Sequence, residues 1–265
     1  MATASAARIV TRADDLGSYR SANRAIYDAW KKGILRNSSI IVPGGAFDHA
    51  VDMFRGEKGF CIGLHSAVTC EWNNVRWKPL LPVGKVRSIV DEQGALRKST
   101  QEIQKAGVVF AEMLAEMQAQ LDKARKAGLD IRYVDGHMAP GWLFEGTDDT
   151  RRYADVVARW LEKEGLISAG WGNKLPLSRL PVTARGEDRI AAIAAAIRTL
   201  PAGDYIMVSH PMYGDDPEVQ PATYGDAKPG QIARQRDTER RMFMDPAIVA
   251  AAKERGLKPI GYDEM

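Results

Sequence analysis

The chain has 265 residues, a length that one α/β barrel fills and that exceeds most sandwiches and bundles. Lys and Arg number 37 against 34 Asp and Glu, and so near a balance excludes the basic stripe that nucleic acid or an anionic membrane selects. No apolar run approaches the roughly 18–20 residues of a membrane span, and the two cysteines, Cys61 and Cys70, form neither a CxxC pair nor a disulfide framework.

The opening MATASAA lacks the charged start and apolar centre of a signal peptide. The compartment therefore stays open between cytoplasmic and exported with the leader absent. Arg8–Thr11 then reads as a strand, and Ser21–Lys32 as a helix with Ala22, Ala25, Ile26, Ala29 and Trp30 on one face and Gly33 closing it. A strand over Asn37–Val42, a helix near Phe47–Phe54 and a strand over Phe60–His65 follow. Residues 66–96 are turn-rich and read as one long loop or insertion, a kind of segment that is usually functional in a compact domain. Thr100–Ala127 has the composition of a single long helix. Next come strand Arg132–Asp135, helix Tyr153–Lys163, strand Leu166–Ala169, helix Asp188–Thr199 and strand Tyr205–Ser209. Helices near Gln231–Met242 and over Pro246–Arg255 and a strand over Lys258–Gly261 end the chain. No repeat or linker interrupts this series, so residues 1–265 read as a single α/β domain. Its repeated βα units predict an irregular, TIM-barrel-like (β/α) barrel of seven parallel strands, with a doubly wound open sheet as the alternative.

Three of the four histidines follow a strand directly, in FCIGLH (60–65), IRYVDGH (131–137) and YIMVSH (205–210), and the pair Asp14–Asp15 follows a fourth strand in RIVTRADD (8–15). In a parallel α/β barrel these strand ends share one face. Each residue taken alone has a plainer explanation: Asp15 as a helix cap, Asp14 as a solvated carboxylate, any one histidine as a hydrogen-bonded structural residue. Their coincidence on one face favours a site. His49, on a helical pattern, is read as structural. One carboxylate with two imidazoles suits a borderline divalent ion such as zinc, with positions left for water and substrate. With Asp15 on the ion, Asp14 is free to take a proton from water, and His210, on a separate strand, is placed to give one to a leaving group.

The motifs RADDLG (12–17), GLH (63–65), DGH (135–137) and SHP (209–211), in that order, resemble those of the YdjC-like carbohydrate deacetylases. The resemblance implies an irregular (β/α) barrel, a divalent metal and hydrolysis of an N-acetyl group from an amino sugar or oligosaccharide. It implies Asp15, His65 and His137 as metal ligands, Asp14 as general base, His210 as general acid and Asp135 as a supporting carboxylate. Zinc is the first choice of ion; magnesium is the second. Three departures bear on the substrate: Met138, Ala139 and Pro140 replace a further histidine after DGH, SAVTCEW follows GLH, and Arg12 stands where Asn is common. Trp72, Trp77, Trp142 and Tyr213 follow site motifs and are candidate stacking platforms for a sugar, although large aromatics also pack such loops down. RQRDTERR (234–241) has the spacing of a solvated helix with intrahelical ion pairs, with Arg236 or Asp237 as a further site candidate. Competing readings are another metal hydrolase on the same scaffold, such as a phosphoesterase, or a non-catalytic carbohydrate-binding relative. A homo-oligomer is compatible with any of them.

Overall fold

The computed structural model describes residues 7–138, 149–169 and 175–265. Strand β1 (Ala7–Leu16) is buried along its whole length apart from the half-buried Arg8. A strand covered on both faces reads as a continuous run rather than an alternation. It is longer than the pattern predicts: β7 pairs with it as far as Ala13 and β2 as far as Leu16, so Asp14 and Asp15 belong to the strand itself. Helix α1 (Arg20–Lys32) packs the predicted Ala22, Ala25, Ile26 and Ala29 inward and leaves Trp30 half-buried. Strand β2 (Asn37–Ile40), helix α2 (Phe47–Phe54) and strand β3 (Cys61–Ser66) follow. His49 lies on α2, with Nδ1 3.0 Å from the Asn23 amide.

The long helix predicted over 100–127 is two: α3 (Thr100–Ala106) and α4 (Phe110–Lys126). Gly107, at φ +85°, takes a positive-φ conformation that favours glycine and ends α3, while Ser99 accepts a hydrogen bond from the Glu102 amide at the start of α3. Strand β4 (Ile131–Gly136), helix α5 (Asp149–Glu164) and strand β5 (Ile167–Ser168) come next. A two-residue strand that the pattern does not show, β6 (Ser178–Arg179), precedes helix α6 (Asp188–Thr199), strand β7 (Gly203–Ser209), helices α7 (Gln231–Met244) and α8 (Pro246–Arg255), and strand β8 (Lys258–Ile260).

Every pairing in the sheet is parallel, in the order β5-β4-β3-β2-β1-β7-β6. Strand β8 shares one edge of β1 with β2: it pairs with Arg8–Val10, and β2 pairs from Arg12 onward. Asn37 ties this junction together, its amide donating to Thr11 O and Ile260 O and its oxygen accepting from the Tyr262 amide. Strands β5 and β6 end the sheet, so the described residues form a curled, open parallel sheet with helices around it, and a closed ring of strands is not shown. All strand C-termini nevertheless point to one side, and those of β1, β3, β4 and β7 carry the four motifs.

Gly63 of the GLH motif contributes to this arrangement. A Cβ there would stand 2.3 Å from the Tyr133 ring, which fills the space over β3 and whose hydroxyl lies 2.9 Å from Ser39 Oγ. Gly63→Ala is expected to lower stability by about 1–3 kcal/mol through overpacking, read as a lower denaturation midpoint with unchanged m-value.

The segment 66–96 is an ordered cap rather than a free loop. It contains two 3₁₀ turns and an antiparallel bridge between Val90 and Leu96. The buried Glu116 of α4 accepts from the Leu80 and Leu81 amides at 2.9 and 3.1 Å. Gln120 exchanges hydrogen bonds with the Ala67 main chain at 3.0 and 2.7 Å. Cys61 and Cys70 are free and buried. Among the described residues no helix is long and apolar enough to cross a membrane.

Candidate active site

Asp15 sits where β1 gives way to α1 and adopts φ +70°, a left-handed conformation that few residues other than glycine hold and that Asp tolerates better than most. The turn is fixed by Ser18, whose amide and hydroxyl both donate to Asp15 O at 3.1 and 2.6 Å. Gly17 completes it at φ +88°, where a Cβ would meet Ile41 O at 2.7 Å. The outcome is a carboxylate, 2% exposed, turned into the mouth of the sheet.

Two imidazoles converge on it. His65 Nε2 is 3.7 Å and His137 Nδ1 3.5 Å from Asp15 Oδ1. Both separations exceed a hydrogen bond, so Oδ1 is buried with no hydrogen-bond partner. The far nitrogen of each ring is held by a carboxylate. Asp135 Oδ1 lies 2.9 Å from His65 Nδ1, and Glu71 Oε2 lies 2.8 Å from His137 Nε2. The two rings meet edge to face at 5.2 Å, and the Trp77 indole lies against His137 at 5.3 Å.

Asp14 and His210 flank this group. Arg12 donates from Nε and Nη2 to the two oxygens of Asp14 at 2.7 and 3.0 Å. The same guanidinium lies 3.1 Å from Asp135 Oδ2 and donates to the Tyr262 hydroxyl at 3.2 Å. His210 Nε2 is 3.9 Å from Asp14 Oδ2. The other face of His210 is taken by Glu239 on α7, whose Oε2 accepts from the His210 amide at 2.9 Å and lies 3.2 Å from its Nδ1. Arg236 donates to the same oxygen at 2.9 Å.

Five carboxylates (Asp14, Asp15, Glu71, Asp135 and Glu239) thus share this region with two guanidiniums, Arg12 and Arg236. The titration behaviour reflects that excess of negative charge. Burial opposes a charged imidazole at His137, yet Glu71 and Asp15 outweigh it and push its pKa up to about 10. Burial likewise opposes charge on Asp15, and the imidazoles outweigh it and hold the carboxyl well below the usual range. At Glu239 burial is outweighed by His210 and Arg236, and the carboxyl is held down at about 2. The site demands positive charge at its centre. Asp15, His65 and His137 each offer a donor atom, all within 4.8 Å of one another. With the unpartnered Asp15 oxygen, they fit a divalent cation in a mixed carboxylate and imidazole set.

The aromatic candidates fare differently. Trp72 is fully buried, its ring against Tyr19 at 5.2 Å and Tyr224 at 5.7 Å, so it has no face to offer a sugar. Trp77 is 2% exposed and packs on His137, which makes it a wall of the site rather than an open platform. Tyr213 donates its hydroxyl to Asp28 and carries the Arg240 guanidinium 4.7 Å over its ring. Trp142 lies outside the described residues. Two carboxylates escape sequence reasoning: Glu71 in the cap and Glu239 on α7. For Glu239 a signal exists, because Ile232, Arg236, Glu239 and Phe243 are spaced four, three and four residues apart and all are buried, which puts two charges on the apolar stripe of α7.

Comparison with known proteins agrees with the family resemblance. The chain is 30% identical over 132 residues to a carbohydrate deacetylase of Listeria welshimeri, spanning about half of each protein, 49% of this chain and 51% of the relative. A carbohydrate deacetylase of Geobacillus stearothermophilus is 23% identical over 97% of both chains. Among solved structures, an Enterococcus faecalis V583 protein named for cellobiose-phosphate cleavage superposes with a TM-score of 0.72 at 21% identity, covering 98% of this chain and 99% of that one, which speaks to the fold. The model of the YdjC-like proteins matches residues 8–254, and the chain belongs to that family.

Proposed function

We propose that this protein is a metal-dependent hydrolase that removes the N-acetyl group from an amino sugar or an oligosaccharide containing one, on a sheet whose curl continues into an irregular barrel. The observation that carries the reading is the buried Asp15 oxygen, facing His65 and His137 without a hydrogen-bond partner and flanked by Asp14 and His210. The names of the Listeria and Geobacillus relatives support the carbohydrate deacetylase class.

Asp15, His65 and His137 would hold the ion, with zinc the first choice for this donor set and magnesium the second. When bound, such an ion polarises an amide carbonyl and lowers the pKa of a water ligand. The chain's own residues do the rest. Asp14, its oxygens steered by Arg12, accepts the proton of the attacking water. Glu239 holds His210 through Nδ1, leaving Nε2 directed toward Asp14 and the reacting bond, where it gives a proton to the departing amine. Trp77 walls the site at His137, and sugar recognition falls to the rim. A phosphoesterase would call for a second ion or an anion cradle; the two guanidiniums of the site, Arg12 and Arg236, are both paired with carboxylates, and the second candidate donor group, Asp14, His65 and Asp135, has both of its carboxylates against Arg12.

The test is release of acetate from a panel of N-acetylated sugars and oligosaccharides by zinc-loaded protein, with chelated protein as control. A loaded protein that releases acetate from no member overturns the proposal. Asp14→Asn and His210→Ala are each expected to lower kcat by about 10²–10⁴-fold, the usual share of a general base or acid. Both variants should take up zinc with unchanged stoichiometry, measured by elemental analysis. Near-normal turnover in either removes that residue from the mechanism.

A further inference from the structure

The two imidazoles of the site face Asp15 through different nitrogens, His65 through Nε2 and His137 through Nδ1. A histidine ring has two donor atoms, and the group on its far side decides which one is free to ligate. For His65 that group is Asp135, on the neighbouring strand β4 and already tied to Arg12. For His137 it is Glu71, which comes from the cap over 66–96 and not from the sheet.

Glu71 is unusually well anchored for a residue outside regular structure. On its N-terminal side the Cys70 amide donates to Arg97 O at 2.8 Å, and Cys70 O accepts from Arg76 Nη1 at 2.8 Å. On its C-terminal side Trp72 is fully buried and bridges to Tyr224, and the Asn73 amide donates to Thr223 O at 2.8 Å. The backbone is therefore pinned on both sides of the carboxylate. Its Oε2 approaches His137 Nε2 to 2.8 Å while Trp77, from the same segment, closes on the ring of that histidine. The tryptophan beside Glu71 has an anchoring role that its burial explains.

We infer that Glu71 is the positioning residue for His137: it occupies Nε2, fixes the ring, and so presents Nδ1 as the ligating nitrogen. The ordered cap thereby sets the metal affinity of a site whose other ligands belong to the sheet. This rests on the reading of Asp15, His65 and His137 as metal ligands, but not on the substrate.

The test is zinc affinity of the full-length protein, by competition with a chromophoric chelator, together with the visible spectrum of the cobalt(II)-loaded form. Glu71→Ala is expected to weaken zinc binding about 10–100-fold, the usual cost of losing an outer partner of a ligating histidine, and to change the cobalt spectrum. Glu71→Gln keeps an acceptor oxygen for Nε2 and should recover most of the affinity and the wild-type spectrum. Thermal midpoints of the metal-free proteins report whether the variants fold. If folded Glu71→Ala binds zinc as the wild type does, with the same cobalt spectrum, the inference is wrong. Equal loss in both variants also overturns it, because retaining an acceptor then makes no difference. A wild-type protein that binds zinc but releases no acetate overturns the deacetylase reading and leaves Glu71 in place; one that takes up no divalent ion overturns both.

Discussion

Asp15→Asn is expected to remove turnover and most of the metal affinity together while leaving the protein folded. Asn is nearly isosteric and is among the few residues that accept a left-handed φ, so the turn at +70° can persist. What changes is charge. The carboxylate on which His65 and His137 converge becomes a neutral amide, and its NH₂ group can point at the same centre. The fall in zinc affinity should exceed the about 10–100-fold cost of losing a supporting residue. The fall in kcat should at least match the about 10²–10³-fold cost of losing one stabilising donor in an acyl-transfer site.

The pH dependence gives this prediction a second readout. In the metal-free wild type the folded pKa of His137 is raised to about 10 by Glu71 and Asp15 against its burial. A group with a raised folded pKa contributes stability that is complete below its unfolded value, about 6.5, and that is lost as pH rises through the folded value. The chelated protein should therefore lose stability between about pH 6.5 and pH 10. Asp15→Asn should flatten that loss, because one of the two charges that raise His137 is gone. Zinc binding by the wild type should tighten across the same interval, since an imidazole must shed its proton to ligate. A wild-type stability curve that is flat over this range would mean that Glu71 and Asp15 do not hold a charged His137 between them.

The grouping of Asp15, His65 and His137 is open to sequence reasoning because each residue lies at a strand end. A histidine or aspartate directly after an apolar run has its position set by the strand, and parallel topology gathers such ends on one side. The residues that support the group obey a different logic. Glu71 reaches His137 from the cap, and no period in SAVTCEW reports that the loop turns back over the site. Glu239 lies in a run of charges that resembles a solvated helix, and Arg236–Glu239 is indeed an intrahelical pair. That pair is buried, because α7 packs its apolar stripe on the sheet with those two charges inside it. Trp72 illustrates the converse error. Its place after a site motif suggests a sugar platform, whereas its burial makes it the anchor of the segment that carries Glu71. The break at Gly107 escapes the pattern because a strongly helical composition hides one glycine at positive φ.

Arg12→Met is expected to have the largest effect on stability. The Arg12 guanidinium is buried between Asp14 and Asp135, at 2.7 and 3.1 Å, and also donates to the Tyr262 hydroxyl. Methionine keeps much of the aliphatic stem and removes the charge. Taking one partner from a buried ionic group typically costs about 3–5 kcal/mol, because the charges left behind have lost both water and counterion. Arg12→Lys keeps the charge but cannot fork across two carboxylates, and its loss should be smaller. The pH dependence separates this cause from simple loss of packing. In the wild type, burial alone would push the Asp135 carboxyl up, but Arg12 and His65 outweigh it and hold the carboxyl below its usual range. That contributes stability present above about pH 4 and lost as pH falls through the lowered folded value. Without Arg12 the balance at Asp135 tips toward burial, the folded state binds protons more readily than the unfolded one, and acid becomes stabilising at this residue. The gap between Arg12→Met and wild type, measured by urea denaturation of the chelated proteins, should be widest near neutrality and narrow toward about pH 4. A gap of the same size at every pH would mean that Arg12 acts by filling space, and the electrostatic account of Asp14 and Asp135 would have to be abandoned.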